Sequence, residues 1–231
     1  MFELTALEQE ALSLSLVVAS WAVIISLPFA IGIAWILARK DFWGKIALDG
    51  LVHLPLVIPP VVLGYILLVG LGRNSFIGNL LYETLGLQFV FNWKGAALAA
   101  AIMGFPLMVR AIRLSLEAID PKLETAAKTL GANSLAVFLR VTLPLMLPGL
   151  IAGLFLAFAR AFGEFGATIT FVSNIPGQTR TLPIAIYTAL QSPGGDAAAA
   201  RMVVISIVIA ILALILSEVL GRRIRKRIYG S

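Results

Sequence analysis

Side chains able to do covalent or acid–base chemistry are scarce in this chain, which holds no cysteine and one histidine, His53. Cysteine nucleophiles, disulfides and thiolate zinc sites are therefore excluded. His53 stands beside Leu54 and Pro55 at the start of an apolar run, a setting that suits a hydrogen-bonded structural ring better than a proton switch. The pair with working spacing is Arg160 and Glu164, four residues apart in apolar surroundings. On a helix they share a face and neutralise each other, which costs less there than either charge alone. A second reading gives Arg160 to anion handling and Gly163 and Gly166 to a hinge. No G-x-x-x-x-G-K-[ST] run occurs, so any nucleotide hydrolysis linked to this chain is carried out by another. An intramembrane enzyme would need a nucleophile and base or a metal cluster, and one histidine with a self-paired Glu164 supplies neither.

The elements that must position these residues are apolar helices. Of 231 residues 60% are hydrophobic and only 13% charged, with mean hydropathy +0.98, which is too apolar for a water-soluble domain. A spanning helix needs about 20 predominantly apolar residues. Five blocks qualify: Leu12 to Ala38, Ile46 to Leu71, Gly95 to Leu116, Leu143 to Phe162 and Met202 to Leu220. Leu182 to Leu190 is too short for a sixth and reads as a short helix at an outer gate or an interface. Glu3, Glu8 and Glu10 precede the first block, where a cleaved leader would carry positive charge, so that block is expected to stay. The expected fold class is an all-α polytopic membrane protein with five spans, forming a single transmembrane domain over residues 1–231.

Orientation follows from the basic residues. Arg39, Lys40 and Lys45, then Arg110, Arg113, Lys122, Lys128 and Arg140, then Arg222, Arg223, Arg225, Lys226 and Arg227 make thirteen of the eighteen Lys and Arg, and five spans put them all on one side. The positive-inside rule makes that side the cytoplasm, with the N-terminus outside and the C-terminus inside. The net charge of +6 thus reflects topology and contact with anionic lipid rather than nucleic-acid binding. In the second block Pro55, Pro59 and Pro60 crowd into six residues ahead of Gly64. Each removes a backbone donor that lipid cannot replace but a packed bundle or wet cavity can, so Pro59 and Pro60 are candidates for a broken helix beside a pathway, together with Arg160, Glu164 and Gly166. Between Gly72 and Lys94, Tyr82 and Trp93 suit a short interfacial helix, as membrane anchors or as a contact for an extracytoplasmic partner.

The segment of about 120–144 has its own logic. Asp120 can cap a helix opened by Pro121, and Glu124 and Lys128 are spaced to pair at i, i+4. Leu123, Ala126, Ala127 and Leu130 make a narrow apolar stripe, Gly131 ends the helix, and Asn133 or Ser134 can cap a second one towards Arg140. Two short helices at an angle are expected, offering a docking surface to a cytoplasmic partner.

LETAAKTLGANSLAVFLRVTLP, over Leu123 to Pro144, resembles the EAA loop by which permease subunits of binding-protein-dependent ABC importers meet their ATPase. The family pattern is E-A-A, three residues, G, nine residues, I, one residue, L-P. Here Ala126, Ala127, Gly131, Leu143 and Pro144 match, Val141 stands for the isoleucine, and Thr125 occupies the glutamate position with Glu124 beside it. HLPLVIPPVVLGYILLVGLGR, FPLMVRAIRLSLE and FARAFGEFGATITFVSNIPGQTRTLPIAIYTALQSPGGD extend the likeness to nearly the whole chain, from about Leu12 to Leu220, and narrow it to the molybdate-permease branch. The resemblance implies a type I importer permease of the cytoplasmic (inner) membrane, a homodimer around a central pathway. It also implies two copies of an ATPase that uses ATP and Mg, an extracytoplasmic protein that delivers molybdate or tungstate, and no cofactor on this chain. It assigns ATPase coupling to Leu123, Glu124, Thr125, Ala126, Ala127, Leu130, Gly131 and Ala132. The alternatives are a secondary transporter, for which neither an internal repeat nor a mid-membrane acidic pair is visible, and a permease for another oxyanion such as sulfate.

Overall fold

The structure, a computed structural model, describes residues 4–229; among them the chain is helical and no strand occurs. Helix α1 (Ala6–Arg39) starts at a capping box, in which Thr5 and Glu8 satisfy each other's backbone donors. Then come α2 (Lys45–Val57), α3 (Pro60–Leu71), α4 (Phe76–Leu85), α5 (Trp93–Glu117), α6 (Pro121–Thr129) and α7 (Ser134–Val137). A π-helical turn over Phe138–Thr142 leads into α8 (Leu143–Phe162), followed by α9 (Gly166–Val172), α10 (Leu182–Leu190) and α11 (Asp196–Tyr229).

Among the described residues four helical stretches are long and apolar enough to cross a bilayer: Ala6–Arg39, Trp93–Glu117, Ser134–Phe162 and Asp196–Ile224. They contain the first, third, fourth and fifth expected spans. The second differs. Ile46 to Leu71 is not one helix but the pair α2 and α3, bent by 109°. A residue before proline is pushed out of helical geometry, and here two successive residues are so placed: Ile58 (ψ 143°) before Pro59, and Pro59 (ψ 136°) before Pro60. The break anticipated from the prolines is therefore a sharp corner. The bent pair counts as the fifth span.

The core centres on α5, packed between α1 and α8, with α11 against α8. Small residues make the closest approaches, with Leu37, Met108, Ile112 and Met146 filling the core around them. Ala19, Ala22, Ala30 and Ala34 of α1 are fully buried, as are Ala96, Ala97, Ala99 and Ala100 of α5. On α8 Gly149, Gly153 and Ala157 recur every four residues, and a Cβ at Gly153 would lie 3.1 Å from the Met108 carbonyl oxygen of α5. In a bilayer, where lipid is as apolar as leucine, close backbone approach and dispersion hold helices together rather than escape from water. Most large side chains of α3 and α11 face outward, among them Val61, Tyr65, Ile66, Ile207, Ile211 and Ile215.

The short helices obey local rules. α4 lies in the segment expected to hold an interfacial helix; Ser75 caps it and Gly86 ends it in the left-handed conformation. α10 coincides with the Leu182–Leu190 segment, and its first turn is tied down when the Leu182 amide donates to the Ser15 hydroxyl of α1 at 2.6 Å. Near the start of α1 the buried Glu8 pairs with Arg201 of α11 at 2.7 Å.

Candidate functional site

The loop at the basic end is built as its residues dictate. The Asp120 carboxylate accepts from the Lys122 amide at 2.9 Å and Pro121 takes the first helical position of α6. At the other end the Gly131 amide donates to the Lys128 carbonyl at 3.0 Å and the Ala132 amide to the Ala127 carbonyl at 3.1 Å. These two bonds form a Schellman closure. It needs positive φ at Gly131, which has φ +88°, and a Cβ added there would meet nothing within 4 Å. The glycine is thus required for its backbone conformation, and the space around it is open. Asn133, rather than Ser134, caps α7, accepting from the Ala136 amide at 2.8 Å.

None of the residues of α6 is buried. Leu123 is 49% and Leu130 89% exposed. Thr125 and Ala126 are also exposed, and Ala127 and Ala132 half-buried. Beyond the turn Leu135 and Leu139 stand out as well. Full burial of one such leucine is worth about 1.5–3 kcal/mol, so the loop presents an unspent apolar surface. Thr125, in the glutamate position of the motif, turns its hydroxyl back to the Pro121 carbonyl at 3.1 Å.

Glu124 departs from the spacing-based expectation. Its Oε1 lies 3.1 Å from Arg39 Nη2, at the end of α1, and accepts from the Thr142 hydroxyl at 2.9 Å, so it pairs with these in place of Lys128. The side chain is only 18% exposed and points into the protein. Reasoning along one helix could not find Arg39 or Thr142, which lie 85 and 18 residues away.

The pathway candidates form a second constellation. α8 ends at Gly163, and α9 begins three residues later. Glu164 holds this break: Oε2 lies 2.5 Å from Arg160 Nη1, and Oε1 accepts from the Ala167 amide at 2.9 Å, placing a carboxylate at the N-terminus of α9 as the helix dipole favours. The break in α8–α9 meets the break in α2–α3. A Cβ at Gly166 would lie 2.8 Å from Pro60 Cβ, and one at Gly64 2.6 Å from the Ala167 carbonyl oxygen and 2.8 Å from Thr170 Cβ. Pro60, Glu164 and Gly166 are thus brought to one crossing of two half-helices; Pro59 caps α3 beside it. Gly64, the residue that lets the helices touch, was visible in the sequence only as the glycine that follows the three prolines.

His53 has the structural setting expected of it, with Nδ1 2.9 Å from the Asp49 carbonyl oxygen. Asp49 also faces Arg113 at 3.1 Å, and Arg113 pairs with Glu117 at 2.7 Å. No group of three or more His, Cys, Asp or Glu arranged to hold a metal occurs among the described residues.

Residues 13–226 match the family described as binding-protein-dependent transport system inner membrane component. The chain belongs to this family. It is 60% identical over 224 residues to the molybdenum transport system permease protein ModB of Escherichia coli K12, covering 97% of this chain and 98% of that one. The Haemophilus influenzae protein of the same name is 56% identical, over 96% and 97%. A sulfate transport system permease protein, CysW of Synechocystis, is more distant at 36%, over 93% and 77%. Among solved structures, a bacterial ABC transporter that imports alginate superposes with TM-score 0.73 at 18% identity, over 95% of this chain and 80% of that one. The inward-facing methionine transporter MetNI gives 0.66 at 16%, over 94% of both. These likenesses establish the fold, that of a type I ABC importer permease, and with it a multi-pass membrane protein.

Proposed function

We propose that this chain is the permease subunit of an ATP-driven importer that carries molybdate, and tungstate with it, across the cytoplasmic membrane. The observation that carries the proposal is the 60% identity, end to end, with a molybdenum transport permease, against 36% with a sulfate permease. Two copies act as one transmembrane unit each, oriented with the N-terminus outside. Two ATPase subunits, which use ATP and Mg, dock on residues 120–144 through Leu123, Ala126, Ala127 and Leu130, with Gly131 and Ala132 fixing the turn and Thr125 on the exposed rim. An extracytoplasmic molybdate-binding protein delivers the anion. The unspent apolar surface of α6 supports the docking role, because a membrane protein gains nothing from exposed leucines at a helix that lies off its core.

The pathway runs by the crossing of α3 and α9, with Pro59, Pro60, Gly166 and the Arg160–Glu164 pair beside it. Two broken helices in contact are where a bundle can shift between arrangements without unwinding a whole span. The spans hold few fixed charges, and Arg160 is already neutralised, so selectivity rests on the binding protein. The test is labelled oxyanion uptake into proteoliposomes holding this subunit, its ATPase and its binding protein. Uptake of molybdate or tungstate that requires internal ATP, with sulfate competing poorly, is the expected result. Uptake without the ATPase would establish a secondary transporter, and ATP-driven sulfate import without molybdate import would refute the cargo.

A further inference from the structure

Helix α6 is attached to the rest of the protein in an unusual way. With none of its residues buried, it has no apolar face inside the bundle, and its inward-turned side chain is a carboxylate. Glu124 Oε1 takes a hydrogen bond from Arg39 at 3.1 Å and another from Thr142 at 2.9 Å. Arg39 is the last residue of α1, 14% exposed at its side chain, and its Nη2 also reaches the Ile119 carbonyl just ahead of α6 at 3.4 Å. Thr142 is buried and is the last residue of the π-helical turn that heads α8.

That turn has a cause. Pro144 has no amide to give to the carbonyl four residues back, and the ladder just ahead of it slips, with the Leu143 amide reaching the Phe138 carbonyl. Single π turns inside long helices are local irregularities that recur at functional sites. One carboxylate oxygen therefore joins three pieces of chain: the docking helix, the basic end of α1 and the loosened start of α8. α1 and α8 both pack along α5, so what moves Arg39 and Thr142 together moves the two helices that flank the core.

We propose that Glu124 is the anchor through which a displacement of α6 is passed to α1 and α8, a positioning residue for coupling and not a contact for the ATPase. The proposal rests on the reading of α6 as the ATPase-docking helix. A charged anchor suits the role: it is directional, and it holds at fixed length between two partners. Its loss leaves the exposed apolar surface for docking in place. The motif position that resembles a family glutamate is Thr125, which makes only a bond within its own helix; the neighbouring Glu124 has the long-range contacts.

The experiment uses the complete importer, permease with ATPase and binding protein, in proteoliposomes, and reads three quantities: ATPase recovered with the permease, ATP hydrolysis stimulated by molybdate-loaded binding protein, and molybdate uptake. Glu124→Gln and Arg39→Gln should retain the ATPase and its unstimulated hydrolysis but lose stimulation and uptake about tenfold or more, and the double variant should be no worse than either single one, as partners in one contact behave. Thr142→Val, which keeps shape and removes one hydroxyl, should reduce stimulation in the same sense and serves if either charge variant fails to fold. Leu130→Asp is the comparator and should release the ATPase itself. If Leu130→Asp keeps the ATPase, the docking reading fails. If it releases the ATPase while Glu124→Gln, or Thr142→Val in its place, hydrolyses and transports as the unaltered importer does, the anchor is refuted. Loss of bound ATPase from Glu124→Gln would equally refute it, by making Glu124 a docking contact.

Discussion

Replacing Gly64 by alanine probes whether the crossing of α3 and α9 is held by direct backbone contact. The added Cβ would sit 2.6 Å from the Ala167 carbonyl oxygen, 2.8 Å from Thr170 Cβ and 3.1 Å from Ala167 Cα, and two of those three atoms are backbone that no rotamer change can move. Carbon atoms settle at about 3.5–4.0 Å, so the half-helices must part by roughly 1 Å. Overpacking of this kind costs about 1–3 kcal/mol, while alanine gains up to about 1 kcal/mol over glycine inside a helix. Gly32 of α1 is the control, since a Cβ there meets nothing within 4 Å and only the propensity gain remains. The two variants should therefore differ by about 1–3 kcal/mol, or roughly 5- to 150-fold in the ratio of folded to unfolded protein.

The assay is the midpoint temperature at which the detergent-purified importer loses its monodisperse peak. At about 2–4 °C for each kcal/mol in a chain of this size, Gly64→Ala should lose it about 2–12 °C below Gly32→Ala. Gly166→Ala, whose Cβ would press on Pro60 Cβ at 2.8 Å, should behave like Gly64→Ala. The double variant should fall short of the sum, because once the helices have parted the second methyl finds room. Equal midpoints for Gly64→Ala and Gly32→Ala would show that the crossing yields freely and would remove close packing from the account of the two broken helices.

Gly131→Ala should cost about 1–2 kcal/mol in the closure of α6, the penalty for left-handed backbone. Gly131→Arg should insert and fold, since open space surrounds the position, yet lose most of the co-purifying ATPase; full recovery of the ATPase with normal uptake would take Gly131 out of the coupling loop. Topology can be read without background because the chain has no cysteine. Cysteine placed at the exposed Asn74 or Gln178 should react with an impermeant thiol reagent in intact cells and cysteine at Ser134 should not, and labelling at Ser134 from outside would overturn the orientation.

What the sequence made legible was whatever follows from one element at a time. Hydropathy and length located α1, α5, α8 and α11, because a bilayer demands some twenty apolar residues and leaves few other ways to satisfy them. Capping rules located α6 and α7, because Asp120, Pro121, Gly131 and Asn133 act on backbone groups within four residues of themselves. The second span was half legible. Three prolines announced a break, but hydropathy is blind to angle, and the 109° corner depends on two consecutive residues each standing before a proline. The Arg39–Glu124–Thr142 contact was not legible, since Glu124 had a better-spaced partner in Lys128 and nothing local distinguishes a carboxylate that turns inward.

The same contrast explains where function sits in this protein. Local rules shape the proposed docking loop and leave its leucines outward, so that loop depends on the chain only for its geometry. The joints proposed to move lie between distant segments: the Glu124 carboxylate ties α6 to α1 and to the start of α8, and α3 packs along α9 with Gly64 at the closest approach. The first is a few-atom joint and the second a packed face between two half-helices, and either can change between two arrangements while the packing of α1, α5 and α8 stays intact. An importer read this way needs no charge in its spans to recognise an anion. It requires that movement at α6 reach the crossing of α3 and α9 through helices stiff enough to carry it, and the tightly packed α5, touching α1, α8 and α9, is the element placed to do so.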